Sequence, residues 1–148
     1  PSYSMFNRWI EKDLLNTLKK LKIGCIAFSP LAQGMLSTKY LNKIPSNSRA
    51  AEHSSLDKNK ITVKYLNKIN QLSKIAHKRG QTLSQMAIAW VLRHKTMTSA
   101  LIGSRNIYQL RECLDSLNNL NFSKEELKKI DRYAKEENIN IWKPSSSY

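Results

Sequence analysis

The sequence has few cysteines and no long apolar run, and each scarcity excludes a class of protein. Its two cysteines, Cys25 and Cys113, have no metal-ligand spacing, which argues against a structural zinc site and favours a reducing, cytoplasmic location. The longest apolar stretches, 23–28 and 86–92, are far shorter than a membrane-spanning helix. The three histidines show no spacing to cysteine, serine or carboxylate that is typical of a catalytic triad or metal site.

Acidic residues are also scarce, with 11 against 25 lysines and arginines, so the formal net charge is +14. Dense positive charge is compatible with nucleic-acid binding, because lysine and arginine neutralise phosphates. The lysines are spread singly along predicted helix faces, as at Lys64, Lys68, Lys74 and Lys78, without interleaved aromatic residues. We therefore interpret the charge as solvated surface and predict neither a nucleic-acid partner nor a membrane partner.

Apolar residues make up 41% of the 148 residues, enough for the core of one domain. The run 24–28, closed by Ser29 and Pro30, predicts a strand buried on both faces of a parallel sheet, and 98–102 predicts a second buried strand. Helical periodicity and capping residues predict helices over about 10–21, from Val63 to a stop at Gly80, and from Thr82, Asn106 and Ser123.

This alternation of strands and helices indicates parallel βα units. Two or three parallel strands cannot cover both of their own faces, and the chain opens without a methionine, so we expect a piece of a larger sheet or barrel. We predict one partial domain over 1–148. Within it, a surface loop or lid covers about 42–60, and an irregular tail covers 138–148.

Two predicted strand ends carry polar motifs suited to phosphate binding. The first runs over 28–40, where an aromatic residue, a Ser-Pro turn, Gly34 and then Lys39 form a plausible diphosphate cradle. The second runs over 102–112, where Gly103 leads directly into a helix capped by Asn106. Free backbone N–H groups at a helix N-terminus attract phosphate. Either motif alone is weak, but the two in this order are specific.

The run Phe-Ser-Pro-Leu-Ala-Gln-Gly at 28–34, with Lys-Tyr at 39–40 and Leu-Ile-Gly at 101–103, resembles the C-terminal half of the aldo-keto reductases. The most similar branch is that of potassium channel β subunits and bacterial glyceraldehyde-3-phosphate or methylglyoxal reductases. The resemblance covers nearly the whole chain. It implies an α/β fold that forms about units 6–8 of a (βα)8 TIM barrel, incomplete in this chain.

The resemblance also implies a set of contacts to NADPH, or to its oxidised form NADP. One aromatic side chain would stack on the nicotinamide, the first loop would line the diphosphate, and the second motif would meet the adenosine 2′-phosphate and the adenine. The implied residues are Phe28, Ser29, Pro30, Leu31, Ala32, Gln33, Lys39 and Arg49 in the first motif and its loop, and Gly103, Arg105, Gln109 and Glu112 in the second.

Three departures from the family pattern qualify this expectation. The family usually has a small hydroxyl residue where Arg105 stands and its basic residue one position later, where this chain has Asn106. The family's adenine-contacting asparagine is Cys113 here. The family's catalytic Asp, Tyr, Lys and His come from its first four βα units, and this sequence has no segment that matches those units. Tyr3 is the tyrosine we expect nearest the active-site mouth, but it does not match the catalytic one.

We therefore expect part of an NADPH-dependent reductase that reduces aldehydes or ketones by hydride transfer, with this chain inactive by itself. One alternative is an NADP-binding regulatory or scaffold subunit like the channel β subunits. Another is a truncated remnant whose exposed sheet edges are closed by self-association or by the missing barrel half. The sequence does not specify the substrate, and it leaves open whether NADPH binding requires the missing half.

Overall fold

The computed structural model describes residues 1–46, 48, 50–51 and 56–136. Arg49 and the predicted tail at 138–148 lie outside these described residues. The described residues form two strands, β1 at Cys25–Phe28 and β2 at Met97–Leu101. The helices are α1 at Leu14–Leu21, α2 at Val63–Lys78, α3 at Leu83–Leu92, α4 at Ile107–Asp115 and α5 at Lys124–Asp131. Short 3-10 turns lie between them, at Trp9–Glu11, Ala32–Gly34, Thr38–Tyr40, Lys58–Lys60 and Ser116–Asn118.

The helix boundaries follow the predicted capping residues. The Thr82 hydroxyl accepts from the N–H of Gln85, whose side chain accepts from the Thr82 N–H, so the predicted capping box begins α3. Ser123 and Glu126 begin α5 in the same way. Gly80, with a φ of 69°, follows the end of α2 in the left-handed conformation that stops a helix. These local predictions are confirmed.

The two strands are parallel and hydrogen-bonded to each other, as predicted. Phe28 is opposite Leu101, and Ala27 is opposite Ala100. The opening residues pair with the other edge of β1, where Phe28 N–H donates to the Pro1 carbonyl at 3.0 Å and Tyr3 N–H donates to the Phe28 carbonyl at 3.1 Å. The opening residues therefore lie alongside the free edge of β1, where Ser2 and Phe28 form an isolated parallel β-bridge.

The prediction that both strands are buried on both faces is wrong. In β1, Cys25 and Ala27 are buried under the helices, whereas Ile26 on the opposite face is 63% exposed. Leu101 of β2 lies on that same face and is also 63% exposed. The apolar run at 24–28 suggests a strand that is covered on both faces, because the residues on both faces of β1 are apolar. Only one face is covered by the described residues.

An apolar stripe along α4 is exposed as well. Ile107 and Leu114 are 63% and 55% exposed, and Leu117, in the 3-10 turn that follows the helix, is 54% exposed. The spacing places these side chains along one stripe that begins on α4 and continues into the turn. This stripe and the open face formed by Ile26 and Leu101 are two large apolar surfaces that the described residues leave in contact with solvent.

The predicted loop or lid at about 42–60 is attached to the protein body at three of its described positions. Ala50 and Leu56 are 1% and 3% exposed, and Ser48 is fully buried. A run of polar residues with a few small or apolar members carries no periodic signal, so these anchoring positions could not be predicted. The segment packs against the body there rather than projecting freely into solvent.

The core is centred on α3, whose Trp90 is fully buried. Tyr3 packs on this indole, with ring centroids 5.2 Å apart, and its hydroxyl donates to the Glu11 carboxylate at 2.6 Å. Arg93 donates to both Tyr3 and Glu11 at 2.9 Å. The expectation that Tyr3 approaches the active-site mouth is therefore wrong, because this side chain is a fully buried member of a hydrogen-bonded cluster.

His94 lies two residues after the end of α3, beside Arg93. Burial of the imidazole, assisted by the neighbouring Arg93 guanidinium, lowers the pKa of His94 to about 4. The side chain is therefore neutral at pH 7. Its Nε2 atom is buried and has no hydrogen-bond partner among the described residues. His94 is part of the core around Trp90 and Tyr3, and its ring centroid is 6.3 Å from that of Tyr3.

The close approach of the two strands requires Gly24, and this requirement gives a stability prediction. A Cβ atom at Gly24 would lie 2.1 Å from Thr98 Oγ1 and 3.3 Å from Thr98 Cβ. We expect Gly24→Ala to lower the free energy of unfolding by about 1–3 kcal/mol, measured by urea denaturation. At Gly103 a Cβ meets nothing within 4 Å, so Gly103→Ala should change stability by less than about 0.5 kcal/mol. Adding Thr98→Ala should partly restore the stability of the Gly24→Ala variant. Equal losses of stability in Gly24→Ala and Gly103→Ala would show that the clash with Thr98 has no effect.

Candidate functional site

The candidate site lies where β1 and β2 end. Because the strands are parallel and Phe28 is opposite Leu101, the segments that follow both strands leave the same edge of the sheet. Adjacent strands are about 4.8 Å apart, so these segments begin side by side. The structure thus brings the two predicted phosphate-binding motifs together. Loops at the carboxyl ends of parallel strands are where α/β proteins bind ligands.

The segment after β1 has an unusual backbone. Ser29, Ala32 and Gln33 have φ values of 55°, 49° and 61°, a left-handed conformation that costs free energy for any residue with a Cβ. Tight turns hold it, since Ala32 N–H donates to the Ser29 carbonyl at 3.0 Å and Gly34 N–H donates to the Leu31 carbonyl at 2.9 Å. Strained backbone of this kind persists where the surrounding structure fixes it, and it is frequent at ligand sites.

Gln33 has a second unusual property. Its side-chain oxygen Oε1 is buried and accepts no hydrogen bond from the described residues. A buried acceptor without a donor costs about 1–3 kcal/mol, so most such groups are satisfied by a protein group, a water or a ligand. An unpaired acceptor within a strained loop at a strand end is the feature expected of a site shaped for a ligand with hydrogen-bond donors.

Phe28 closes β1 on the uncovered face of the sheet. Alternation along the strand places its side chain on the same side as Ile26, opposite the buried Cys25 and Ala27. The residue is half-buried, and its neighbour Leu101 on β2 is exposed on this face. An aromatic ring at this position is accessible to a flat ligand, whereas Pro30 immediately after it is buried and fixes the turn.

The segment after β2 leads into the N-terminus of α4. Asn106 caps this helix as predicted, since its Oδ1 accepts from Gln109 N–H at 3.0 Å. The Gln109 side chain accepts from Arg105 N–H at 2.9 Å and so fixes the turn between strand and helix. Gly103 and the Arg105 side chain are exposed beside this helix N-terminus. Arg105 and the N-terminus of α4 thus lie side by side on the exposed surface, and a guanidinium and a helix dipole both favour an anion.

The remaining predicted residues make contacts with other parts of the protein or lie at its surface. The Lys39 ammonium lies 5.8 Å from the centroid of the Tyr40 ring, and Lys39 itself is exposed. Glu112 accepts a hydrogen bond from the Thr82 hydroxyl at 2.8 Å, so its carboxylate connects α4 to the start of α3. Leu31 is half-buried in the turn after β1. Arg49 lies outside the described residues.

Tyr65 contacts the site but was not among the predicted residues. Its hydroxyl donates to the carbonyl of Met35 at 2.6 Å, at the end of the strained loop. Tyr65 lies on the buried face of α2, where an aromatic residue indicates core packing and nothing more. The sequence gives no sign of this hydrogen bond because it joins residues that are 30 positions apart.

Other kinds of site receive no support in the described part of the chain. Residues 1–46 and 56–136 include no group of three or more His, Cys, Asp or Glu able to hold a metal ion. Among the helices that the structure describes, none has the length and apolarity to cross a membrane. Both cysteines are buried and free, and burial, with Glu112 adjacent, raises the pKa of the Cys113 thiol. An open groove of about 610 Å³ on α2 contains none of the predicted site residues.

Comparison with known proteins is decisive for the family. The model of the aldo/keto reductase family matches residues 1–135. The chain belongs to the aldo/keto reductase family. Its resemblance to aldo-keto reductases, inferred from the motifs at the two strand ends, is thereby confirmed.

Individual relatives agree with this assignment. The chain is 44% identical over 151 aligned positions to L-glyceraldehyde 3-phosphate reductases of Escherichia coli O157:H7 and strain K12, covering 99% of this chain and 44% of each relative. It also matches the solved structure of the glycerol dehydrogenase AKR11B4 from Gluconobacter oxydans, a TIM barrel, with a TM-score of 0.72 and 27% identity. That match covers 90% of this chain and 40% of the dehydrogenase. The aldo/keto reductase chain thus spans less than half the length of these relatives.

The strain at Gln33 gives a prediction specific to the site. Glycine and alanine at this position both remove the unpaired oxygen. Glycine adopts a φ of 61° without a Cβ clash, whereas alanine keeps the clash. We expect Gln33→Gly to be more stable than Gln33→Ala by about 1 kcal/mol in urea denaturation, despite the greater chain entropy of glycine in the unfolded state. An alanine variant as stable as the glycine variant would show that the loop holds no strain at this residue.

Proposed function

We propose that this chain is the C-terminal, cofactor-binding part of a (βα)8 barrel in an NADPH-dependent reductase of aldehydes or ketones. The observation that carries the proposal is the parallel register of Phe28 and Leu101, which sets both phosphate-binding motifs at one edge of the sheet. The family match over residues 1–135 supports it. So does the similarity to L-glyceraldehyde 3-phosphate reductases, which points to a small carbonyl compound as substrate. The two free cysteines favour the reducing cytoplasm as its location.

The residues present fit this cofactor. The buried, unpaired Oε1 of Gln33 can accept a hydrogen bond from a donor group of the cofactor, such as a ribose hydroxyl. The diphosphate itself has acceptors only, and we assign it to the compact cradle that the strained turn from Ser29 to Gln33 forms with Pro30, Leu31 and Ala32. The exposed guanidinium of Arg105 beside the α4 N-terminus suits the 2′-phosphate. The accessible Phe28 ring would stack against the nicotinamide and set which of its faces is presented. NADPH, when bound, supplies the hydride that a carbonyl carbon accepts.

The same residues do not supply the proton that reduction of a carbonyl also requires. In the described part of the chain, Tyr3 and Tyr65 are buried and their hydroxyls donate to Glu11 and Met35. Burial also raises the pKa of each phenol, which makes proton release less favourable. We therefore expect the isolated chain to bind and orient the cofactor without turning over a substrate.

The uncovered apolar surfaces support the idea of a barrel completed by further polypeptide. Ile26 and Leu101 line the open face of the sheet, and Ile107, Leu114 and Leu117 form the exposed stripe of α4. Burying one large aliphatic side chain stabilises a protein by about 1.5–3 kcal/mol, so these surfaces favour a cover. The relatives extend well beyond the matched segment, since it covers 44% of their length. We propose that βα units equivalent to the rest of these relatives cover both surfaces, with self-association as the competing outcome.

The predicted role of Arg105 can be tested by comparing NADPH with NADH. Arg105→Ala removes a charged hydrogen-bond donor to the 2′-phosphate, so it should weaken NADPH binding roughly 10- to 100-fold. NADH lacks this phosphate, so its affinity should change little. Fluorescence titration of both cofactors measures the two effects.

Arg132→Ala provides a matched control for the Arg105 experiment, because it removes the same charge from an exposed residue at the end of α5. This variant should leave both affinities close to those of the parent chain. Equal weakening of NADPH and NADH by Arg105→Ala would exclude a specific role with the 2′-phosphate. Absence of NADPH binding to the parent chain would exclude cofactor binding by this chain alone.

The expected lack of turnover has a direct test. Purified chain mixed with NADPH and small aldehydes, glyceraldehyde among them, should cause no loss of NADPH absorbance above the rate without protein. The physical reason is that the proton-donating group must come from residues outside this set. Turnover by the purified chain, abolished by Phe28→Ala, would overturn the expectation and show that catalysis needs no further polypeptide.

A further inference from the structure

Tyr65 connects α2 to the loop after β1. Its side chain is 6% exposed, and its hydroxyl donates to the Met35 carbonyl at 2.6 Å. The Thr62 hydroxyl, which caps α2, accepts from the Tyr65 N–H at 3.1 Å, so the residue lies in the fixed first turn of its helix. The Phe6 ring packs edge-on against the Tyr65 ring, with centroids 6.4 Å apart. The phenol is therefore held in place from several sides.

The accepting carbonyl belongs to the last part of the strained loop. Met35 N–H donates to the Ala32 carbonyl at 3.1 Å, and Leu36 N–H donates to the Leu31 carbonyl at 3.1 Å. The first of these bonds joins the tethered segment directly to Ala32, which has left-handed backbone, and the second joins it to Leu31 immediately before Ala32. Met35 and Leu36 are themselves buried, so their backbone groups depend on protein partners. A hydrogen bond from Tyr65 at this point restrains the whole turn.

The left-handed conformations at Ser29, Ala32 and Gln33 persist only if surrounding contacts outweigh their cost. Local turns within the loop are short and can rearrange together. A donor from a separate, rigid helix fixes the loop relative to the rest of the fold. Burial raises the pKa of the Tyr65 phenol, and so the hydroxyl keeps its proton and donates a hydrogen bond at neutral pH.

We propose that Tyr65 is a positioning residue of the candidate site, which holds the loop from Ser29 to Met35 in its strained, ligand-ready conformation through the Met35 carbonyl. The proposal rests on the proposed function for its effect on NADPH, while its effect on the loop is independent of that function. A preorganised loop binds with less loss of conformational entropy, and a loosened loop binds more weakly.

The test is Tyr65→Phe, which keeps the ring and removes the hydroxyl. We expect NADPH affinity to fall about tenfold, the size of effect that loss of one buried hydrogen bond produces. We also expect amide hydrogen exchange to accelerate at Gly34, Met35 and Leu36, with little change in the centre of α2. Tyr133→Phe, on a half-buried residue that follows α5 and lies outside both motifs, should change neither measurement.

A second control separates positioning from general stability. Ile69→Val removes one methylene from a buried residue of α2 and leaves the hydrogen bond from Tyr65 to the loop in place. It should lower the urea midpoint as Tyr65→Phe does, yet leave the exchange of the loop amides and the NADPH affinity unchanged. Unchanged exchange of the loop amides in Tyr65→Phe would overturn the proposal. So would equal loss of affinity in Tyr65→Phe and Ile69→Val.

The two readouts also distinguish this proposal from the proposed function. If the parent chain binds no NADPH, cofactor binding by this chain fails, and the hydrogen-exchange result alone decides the role of Tyr65. If the parent chain binds NADPH and Tyr65→Phe binds it equally well, the proposed function stands and the positioning role is excluded.

Discussion

The parallel pairing of β1 with β2 is the constraint on which the rest of this structure depends. A parallel pair cannot be joined by a tight turn, so the chain must return to the end of the sheet where β1 begins before it enters β2. Helices α2 and α3 make this return and cover one face of the sheet. The register then fixes where both strands end, with Phe28 opposite Leu101. The candidate site is a direct geometric consequence of that pairing.

The same pairing leaves one face of the sheet uncovered by the described residues. Alternation along β1 turns Cys25 and Ala27 towards the helices and Ile26 and Phe28 away from them. In a closed barrel the second group would face the interior. Here the open face is where the predicted nicotinamide contact lies, so the surface that we propose is covered by further polypeptide is also the surface proposed to bind the cofactor. Completion of the barrel and completion of the site are therefore one structural event in this proposal.

Local signals in the sequence predicted the local structure well. Capping residues Thr82, Asn106 and Ser123 begin their helices because each satisfies backbone N–H groups within its own first turn. Burial could not be predicted in this way, since Ile26 and Leu114 are as apolar as core residues and differ from them only in what lies opposite. The two site motifs were recognisable as strings of residues. Their adjacency depended on strand register, which the sequence does not encode locally.

The strained turn cannot be predicted from its own residues, because contacts with distant parts of the chain hold it. Ser29 and Gln33 are residues that ordinary loops contain, and nothing in their identity indicates a left-handed backbone or a buried, unpaired amide. That conformation is held by contacts made far along the chain, the Tyr65 hydroxyl among them. A loop whose geometry is fixed from a separate helix can remain strained at rest. Such a loop is suited to bind a ligand that supplies the missing hydrogen-bond donor, which is why the strain and the unpaired oxygen of Gln33 support the same interpretation.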